Sequence, residues 1–291
     1  MKKITIISGK GGTGKTSLTA AFAVLNKSSV IADCDVDAPD LHLLLKPEII
    51  QTEDFIMGLN YRIDLDKCVR CFQCKHLCRF DAIKTEDTRI YVDDLNCEKC
   101  GFCASICVVK AVYTIKEKSG ESYIANTEYG KMVYARLNPG AENSGKLVTI
   151  VRNKAEEIAK KENQELIIID GPPGKGCPVI ASISNVDAVT IVTEPTVSGV
   201  SDFNGVAELT KQFKIKTFVI VNKADINKEK TNEIIKYCFE NNFEYLGSIN
   251  FDKSFVNAIN NAMPIVKFAD NEVTNQIKDI WKKVSNEFFA Q

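Results

Sequence analysis

Short runs of apolar, often β-branched residues recur along the chain and are separated by segments long enough for helices. The runs are Ile4–Ile7, Val30–Ala32, Leu166–Ile169, Ala188–Val192, Thr217–Val221 and Tyr245–Ile249. Strands that are apolar throughout are typical of a parallel sheet whose two faces are both covered by helices. The pattern therefore predicts an α/β fold with a mostly parallel sheet flanked by helices.

Other segments follow the alternating or the helical period. Residues 122–137 alternate and predict a hairpin that turns at 128–130, and a helical stripe predicts a helix from about Asn143 or Ser144 to Lys161. The segment from Asn275 to Phe288 has one apolar face and several lysines elsewhere. We interpret it as a closing helix of the core rather than a membrane-binding helix, because moderate amphipathicity is typical of helices on globular proteins.

A glycine-rich loop follows the first apolar run directly. Residues 9–16 read G-K-G-G-T-G-K-T, with a strand predicted before them and a helix to about Asn26 after them, as a phosphate-binding loop requires. The backbone N–H groups of such a loop and the dipole of the following helix attract phosphate. We predict that ATP or ADP binds here with Mg2+. The predicted nucleotide-binding residues of the loop are Gly11, Gly12, Thr13, Gly14, Lys15, Thr16 and Ser17.

Acidic residues follow the second and third runs, at the ends of the predicted strands. After the second run the carboxylates are Asp33, Asp35, Asp37 and Asp40. After the third run Asp170 opens a turn that ends at Gly174. The carboxyl ends of parallel strands meet at the edge of the sheet where ligands bind. For Asp33, Asp37 and Asp40, helix capping and contact with Mg2+ through water remain equal alternatives.

Lys10 adds a second lysine to the loop, directly after its first glycine. The pattern K-G-G-T-G-K-T resembles the deviant Walker A loop of the MinD, ParA, Mrp and nitrogenase iron protein group of P-loop ATPases. The resemblance implies a nucleotide-dependent homodimer, or a heterodimer with a similar ATPase. Lys10 would then cross the interface and stabilise the phosphoryl group bound to the partner, as an arginine finger does. The alternative is a solvated lysine on an exposed loop.

The same resemblance implies roles for residues after the loop. Asp35 matches the switch I aspartate that positions the attacking water, and Asp170 matches the Walker B carboxylate. The implied catalytic residues are Lys10, Lys15 and Asp35, and the implied Mg2+ site consists of Thr16, Asp35 and Asp170. Gly174 matches a switch II glycine that approaches the γ-phosphate. Asn222 matches an asparagine that contacts adenine, although a polar residue that caps a strand end is an alternative.

Eight cysteines form two rows of identical spacing, C-x2-C-x2-C-x3-C. The spacing is that of a bacterial ferredoxin with two 4Fe–4S clusters, in which the fourth cysteine of each row binds the other cluster. This resemblance implies one ligand set of Cys68, Cys71, Cys74 and Cys107, and a second of Cys97, Cys100, Cys103 and Cys78. Zinc is the alternative, but structural zinc sites usually take their ligands from separate pairs. Arg79 and Val108 stand where ferredoxins usually have proline.

The cysteine rows interrupt the predicted ATPase between switch I and the Walker B strand. We predict an ATPase domain at residues 1–59 and 118–291, and a small α+β ferredoxin domain inserted at 60–117. The two halves of the insert repeat short phrases, and each is predicted to contain a strand, a cluster loop and a short helix. The ends of the insert should lie close together, as for any tolerated domain insertion.

Composition narrows the function further. The chain has 291 residues and a net charge of −1, so it carries no basic excess that would indicate nucleic-acid binding. No apolar run reaches transmembrane length, and the chain enters its first strand and phosphate loop at once, so we expect a cytoplasmic protein. In that reducing compartment the 11 cysteines favour metal ligation over disulfides.

Three classes of function agree with these features. The first is an ATPase whose nucleotide state is coupled to electron transfer through two 4Fe–4S clusters, with a partner protein or a metallocluster as acceptor. The second is an assembly or carrier ATPase that delivers clusters to other proteins. The third, a positioning ATPase with a structural ferredoxin, is less favoured. A bridging cluster at Cys177, seven residues after Asp170 as in the nitrogenase iron protein, is a minority hypothesis.

Overall fold

A computed structural model describes residues 1–26, 28–56, 59–87, 89–139, 141 and 144–289. Its strands are β1 Lys2–Ser8, β2 Ser29–Asp33, β3 Glu48–Ile56, β4 Asn60–Ile63, β5 Ile83–Glu86, β6 Arg89–Val92, β7 Val112–Ile115, β8 Lys118–Thr127, β9 Gly130–Leu137, β10 Leu166–Pro173, β11 Ala188–Thr193, β12 Lys216–Asn222 and β13 Glu244–Ile249. Its helices are α1 Lys15–Leu25, α2 Leu41–Leu45, α3 Gln73–His76, α4 Phe102–Ile106, α5 Ser144–Lys161, α6 Cys177–Ile183, α7 Val197–Gln212, α8 Lys228–Glu240, α9 Ser254–Asn260, α10 Ile265–Phe268 and α11 Glu272–Phe289.

The chain forms two compact units. The first consists of Met1–Glu53, Ser122–Leu137 and Asn143–Gln291, and the second of Asp54–Glu121 and Asn138–Glu142. The segment predicted as an insert, residues 60–117, falls within the second unit. The limits of that unit lie beyond those of the predicted insert because β3 and β8 each run from one unit into the other.

A nine-stranded sheet has the order β13-β12-β11-β1-β10-β2-β9-β8-β3. Strand pairing is parallel from β13 to β9 in this order. The parallel pairs are β13 with β12, β12 with β11, β11 with β1, β1 with β10, β10 with β2, and β2 with β9. Helices cover both faces, since alternate residues of the central strands belong to two different apolar clusters, one with α1 and α11 and one with α6, α7 and α8. The predicted α/β fold with a mostly parallel sheet is confirmed.

Secondary structure at several predicted segments agrees closely with the sequence pattern. The hairpin turns between Thr127 and Gly130, and α5 begins at Ser144 and ends at Lys161, within the predicted bounds. The edge strand β3 was not predicted. Eight of its nine residues are exposed, so it carries no apolar pattern from which a strand could be inferred.

The C-terminal helix α11 belongs to the core of the first unit. Ile277, Ile280, Trp281 and Val284 are buried, and the Trp281 ring stacks on Phe22 of α1 with ring centroids 4.9 Å apart. This confirms the interpretation of the segment as a closing helix. Among the described residues, no helix is both long and apolar enough to cross a membrane.

The second unit is built from two antiparallel strand pairs and two short helices. β4 pairs with β7, and β5 pairs with β6, around a small core that includes Ile83, Ile90 and Val92. Asn60 of the first strand lies opposite Ile115 of the last, so the ends of this segment are close together, as expected. Each half contains the predicted strand, loop and short helix, and adds a strand that the sequence analysis did not predict.

The backbone of the two halves repeats as the sequence does. The residue two positions after the first cysteine has a positive φ in both rows, 53° at Arg70 and 53° at Lys99. The residue three positions after the fourth cysteine does so as well, with 48° at Asp81 and 51° at Lys110. Left-handed residues other than glycine are uncommon, so their recurrence at matched positions marks the two halves as copies of one structural motif.

Candidate functional site

The glycine-rich loop connects β1 to the N-terminus of α1 and forms one wall of a cavity of about 580 Å³ in the first unit. Gly14 has a φ of 91°, and a Cβ atom there would lie 2.4 Å from the Asn222 side chain, so only glycine fits. The first turn of α1 has no side-chain cap, which leaves its N–H groups available for an anion. Every predicted nucleotide-binding residue of the loop, 11–17, lines this cavity.

Lys15 and Asp170 form a buried ion pair at the base of the cavity. The Nζ of Lys15 lies 2.9 Å from Asp170 and 3.8 Å from Asp35. The hydroxyls of Thr16 and Thr19 each donate to Asp170 over 2.8 Å. Burial alone would lower the pKa of Lys15, but the neighbouring carboxylates outweigh it and the pKa lies above its usual value. The lysine is therefore held charged beside the cavity that it lines.

The acidic loop after β2 divides into structural and cavity-facing carboxylates. Asp33 is fully buried and accepts hydrogen bonds from the N–H groups of Asp35 and Leu41, so it anchors the loop and the start of α2. Burial, together with repulsion from Asp170, raises the pKa of Asp33 well above its usual value. Of the alternatives left open for Asp33, these bonds favour the structural role. Asp37 and Asp40 line the nucleotide cavity.

Asp35 lies at the cavity wall with an altered pKa. Burial and repulsion from Asp170, Asp37 and Asp40 raise the pKa to about 6, against the opposing effect of Lys15. A carboxyl group with a pKa near 6 is ionised at neutral pH and is still able to accept a proton. The residue thus has the chemistry that water activation requires.

Asn222 and Gly174 are close to the loop but their polar groups are engaged with the protein. The side-chain amide of Asn222 donates to the carbonyl of Thr13 over 2.7 Å, and its oxygen accepts from the N–H of Lys223. The N–H of Gly174 donates to the carbonyl of Ser8 over 2.8 Å. Neither residue lines the cavity. Their roles toward adenine and the γ-phosphate stay predictions.

Lys10 is not a solvated loop residue in this structure. Its Nζ forms an ion pair with Glu194 at 2.7 Å and donates to Ser198 over 2.8 Å. The second oxygen of Glu194 binds Lys223 at 2.8 Å, and Lys223 also donates to the carbonyl of Gly12. Burial would raise the pKa of Glu194, but the two lysines lower it below its usual value.

Glu194 and Lys223, which hold Lys10 and the loop, were not among the residues predicted from the sequence. Both could have been found with the rule that was applied to the aspartates, namely that residues directly after parallel strands lie at the ligand-binding edge of the sheet. Glu194 directly follows β11 and Lys223 directly follows β12, at the same carboxyl edge of the sheet. The sequence gives no sign of which distant loop they contact, so their pairing with Lys10 required the structure.

The cysteine rows line two cavities in the second unit. One is bordered by Cys68, Cys71, Cys74 and Cys107, and the other, of about 380 Å³, by Cys74, Cys78, Cys97, Cys100 and Cys103. Within the described part of the chain, no three His, Cys, Asp or Glu side chains converge in the way that a single metal ion requires. The N–H groups of Ala82 and Ala111 donate to the sulfurs of Cys78 and Cys107 over 3.4 and 3.2 Å.

Three cysteines lie outside the rows. Cys34 and Cys238 are buried in the first unit, and burial raises the pKa of both thiols, that of Cys238 to about 12. Buried thiols of this kind are chemically inert. Cys177 is exposed at the first position of α6, next to two residues of the nucleotide cavity, Gly176 and Pro178.

Known proteins that resemble this chain share its α/β fold and are nucleotide-binding proteins, as the glycine-rich loop predicts. The family model of the CobQ/CobB/MinD/ParA nucleotide binding domain matches residues 4–265. An uncharacterized protein of Methanocaldococcus jannaschii is 34% identical over 97% of this chain and 96% of its own length. The iron-sulfur cluster carrier protein of Pyrococcus abyssi is 23% identical over 98% of this chain and 85% of its own length. The septum site-determining protein MinD of Pyrococcus horikoshii, solved with Mg-ADP, is 16% identical and matches with a TM-score of 0.58 over 99% of this chain and 98% of that one. The chain belongs to the CobQ/CobB/MinD/ParA nucleotide-binding family of P-loop ATPases.

Proposed function

We propose that this protein is an ATPase whose nucleotide state is coupled to electron transfer through two 4Fe–4S clusters held by its second unit. The observation that carries the proposal is the lining of the two cysteine cavities. Each cavity is bordered by three cysteines of one row together with the fourth cysteine of the other row, and Cys74 borders both cavities. That crossed arrangement is the one by which a two-cluster ferredoxin binds its clusters.

The donor sets fit such clusters chemically. Thiolates are the ligands of 4Fe–4S clusters, and N–H groups aimed at the sulfurs adjust the reduction potential. The N–H groups of Ala82 and Ala111 are of this kind, and they donate to the fourth cysteine of each row. When bound, the clusters would supply one-electron chemistry. The protein contributes the thiolates, the N–H groups and the apolar cavity walls formed by residues such as Ile63, Ile83 and Val92.

In the first unit the residues fit Mg-ATP. The Oγ1 of Thr13, within the described chain, is buried without a hydrogen-bond partner in the middle of the loop, as expected of a group that awaits a ligand. Lys15 would bind the phosphates, and Thr16, Asp35 and Asp170 would hold Mg2+, which neutralises phosphate charge. Asp35 would orient the attacking water. Lys10 would act on the nucleotide of a second chain in a nucleotide-dependent dimer.

Iron content tests the proposal directly. Protein purified without oxygen should contain about eight iron atoms and eight sulfides per chain, the content of two 4Fe–4S clusters. Cys107→Ser should deplete the cluster of the first row, and Cys78→Ser that of the second. Cys34→Ser is the matched control, since Cys34 is buried outside the rows, and it should leave the iron content unchanged. A chain that binds two zinc atoms and no iron would contradict the proposal.

The rate of ATP hydrolysis at low ATP concentration should fall in acid because Asp35 must be ionised to orient the attacking water. Its pKa of about 6 in the nucleotide-free protein predicts a constant kcat/KM above about pH 7 and a loss of about tenfold per pH unit well below pH 6. Asp37→Asn removes a negative neighbour that raises this pKa, so the acid limb should move to lower pH. Asp279→Asn, on the exposed face of α11, should not move it. An acid limb unaffected by Asp37→Asn would exclude Asp35 as its origin.

A carrier ATPase that donates clusters is the second candidate. Cys71 and Cys100, one cysteine of each row, are exposed, which is what a departing cluster would require. Similarity to an iron-sulfur cluster carrier protein points the same way. Incubation of the holoprotein with an apo-ferredoxin and ATP distinguishes the two candidates. Loss of iron to the acceptor favours the carrier, whereas complete retention during repeated reduction and oxidation favours electron transfer.

A further inference from the structure

A pocket with positive charge opens on the second unit, with a volume of about 430 Å³. The residues that line it are Arg70, Phe72, Lys75, His76, Thr85, Asp87, Arg89 and Ile90. None of the three permanent cations forms an ion pair with another described residue, although Lys75 donates to the hydroxyl of Thr85 over 2.6 Å. The pocket thus presents three cations against the single lining carboxylate of Asp87, and Lys75 also interacts electrostatically with Asp81 nearby.

This cationic pocket shares a wall with the first cysteine cavity. Arg70, Phe72 and Ile90 line both. Cys71, which belongs to that cavity, is exposed, and the neighbouring side chains Val69 and Phe72 are 65% and 36% exposed. A group bound in the pocket would therefore lie one side chain away from the first ligand set. The apolar rim with adjacent cations has the composition of a protein interface.

The repeated half of the unit shows that the fold does not require these side chains. Lys75 and His76 of α3 correspond to Ala104 and Ser105 of α4, and Phe72 corresponds to Gly101. The backbone is nonetheless the same, with positive φ at both Phe72 and Gly101. The helix therefore does not require the basic side chains of Lys75 and His76, which set the first half apart, whereas Arg70 has a cationic counterpart in Lys99.

We propose that the cationic pocket is the docking site for the acidic face of a redox partner protein. The proposal rests on the proposed function. Docking at this pocket would bring the partner's redox centre close to the first cluster, which matters only if the protein transfers electrons. Carboxylates of the partner enter the pocket beside Arg70 and Arg89, and Val69 and Phe72 are covered at the rim. Opposite charges on the two faces steer encounter and fix orientation, which a transient electron-transfer complex needs.

Binding of a hexaglutamate peptide to the full-length holoprotein tests the pocket without any catalytic readout. At low ionic strength, calorimetry should show binding that Arg89→Glu weakens about tenfold or more and that 0.3 M salt abolishes. Arg89 lies in β6, outside the cysteine rows in sequence, and lines neither cysteine cavity, so the clusters should remain intact. Lys99→Glu is the matched control from the other half and should leave the affinity unchanged. Equal effects of the two variants would overturn the proposal, and so would citrate binding as tightly as the peptide, which would assign the pocket to a small polyanion.

One-electron oxidants of opposite charge test the position of the pocket beside the cluster. Each reduced cluster would give one electron to tris(oxalato)cobaltate(III) or to hexaamminecobalt(III), reducing cobalt(III) to cobalt(II). Arg89→Glu should slow the anionic oxidant about tenfold at low salt and should not slow the cationic one. An unchanged rate for the anionic oxidant in Arg89→Glu, or the same fractional loss for both oxidants, would overturn the proposal. A preparation without cluster absorbance would instead refute the proposed function, and the peptide titration would still report on the pocket.

Discussion

Replacement of Lys10 by alanine should reduce the rate of ATP hydrolysis about a thousandfold or more while the affinity for Mg-ATP stays nearly the same. The magnitude is that of a cation supplied to the phosphoryl group from across an interface. Within one chain Lys10 binds Glu194 and Ser198, so nucleotide binding by that chain does not depend on it. The measurements are the rate of ATP hydrolysis, which should fall, and the affinity for a fluorescent ATP analogue, which should stay the same.

Lys223→Ala is the matched control for this variant. Lys223 binds the other oxygen of the same Glu194 carboxylate, so its removal disturbs the same ion pair without removing the lysine that would act on the partner. We expect the control to lose less than tenfold in the rate of ATP hydrolysis, since Lys10 keeps its own ion pair with Glu194. A loss in Lys223→Ala as large as that in Lys10→Ala would mean that the ion pair, and not a transferred lysine, supports hydrolysis.

Mixing two inactive variants tests action across the interface. Lys15→Ala chains cannot bind the phosphates but still carry Lys10, and Lys10→Ala chains bind nucleotide but lack the second lysine. A heterodimer contains one site with an intact loop and an intact Lys10 from the partner. Activity should therefore reappear on mixing and rise with total protein concentration. Full hydrolysis by Lys10→Ala as a monomer would exclude the dimer mechanism.

The sequence pattern was sufficient for the parts of the fold that are buried. Strands β1, β2, β10, β11 and β12 are largely apolar because both of their faces are covered, and each lies close to its predicted position, as does the edge strand β13. Strand β3 was missed because its exposed residues carry no such pattern. The short strands β5 and β7 were missed for a related reason, since a strand of four residues contains too few positions to establish a period.

The residues of the candidate site that belong to a motif or follow a predicted strand could be predicted from the sequence. Contacts between segments that are distant in the sequence could not. Lys15, Thr16 and Asp170 follow from the loop and the strand end, and the structure places them in direct contact. The pairing of Lys10 with Glu194 depends on the close approach of β1 and β11, which no local pattern reveals. The raised pKa of Asp35 likewise arises from burial beside Asp170, a residue of a different strand.

Chain connectivity gives a physical route between nucleotide and cysteines. The buried carboxylate of Asp33 holds the N–H groups of both Asp35 and Leu41, so the acidic loop and α2 are tied together. From α2 the chain passes into β3, which leads into the second unit. A change in the acidic loop on binding of a γ-phosphate would be transmitted along these covalently linked elements. Switch segments ordered by a γ-phosphate behave in this way in other P-loop proteins.

If ATP binding and cluster reduction are linked through this segment, each must change the other by the same free energy. Allosteric linkage is typically about 1 to 3 kcal/mol. That range corresponds to a shift of roughly 40 to 130 mV in a one-electron midpoint potential, at about 59 mV per tenfold change in an equilibrium constant. We therefore expect the midpoint potentials of the holoprotein to differ by this amount between ADP and a non-hydrolysable ATP analogue.

An anaerobic redox titration with no nucleotide, with ADP and with the analogue measures the shift. Asp35→Ala should reduce it, because Asp35 is the member of the acidic loop closest to Lys15 and hence to the phosphates. Asp279→Asn, remote from that loop, should retain it. Reciprocity provides an internal check, since reduction of the clusters must change the affinity for the analogue, relative to ADP, by the same factor. Identical potentials and identical oxidation rates in all three states would mean that the ATPase only carries the cysteine-rich unit, and the carrier function would then be favoured over electron transfer.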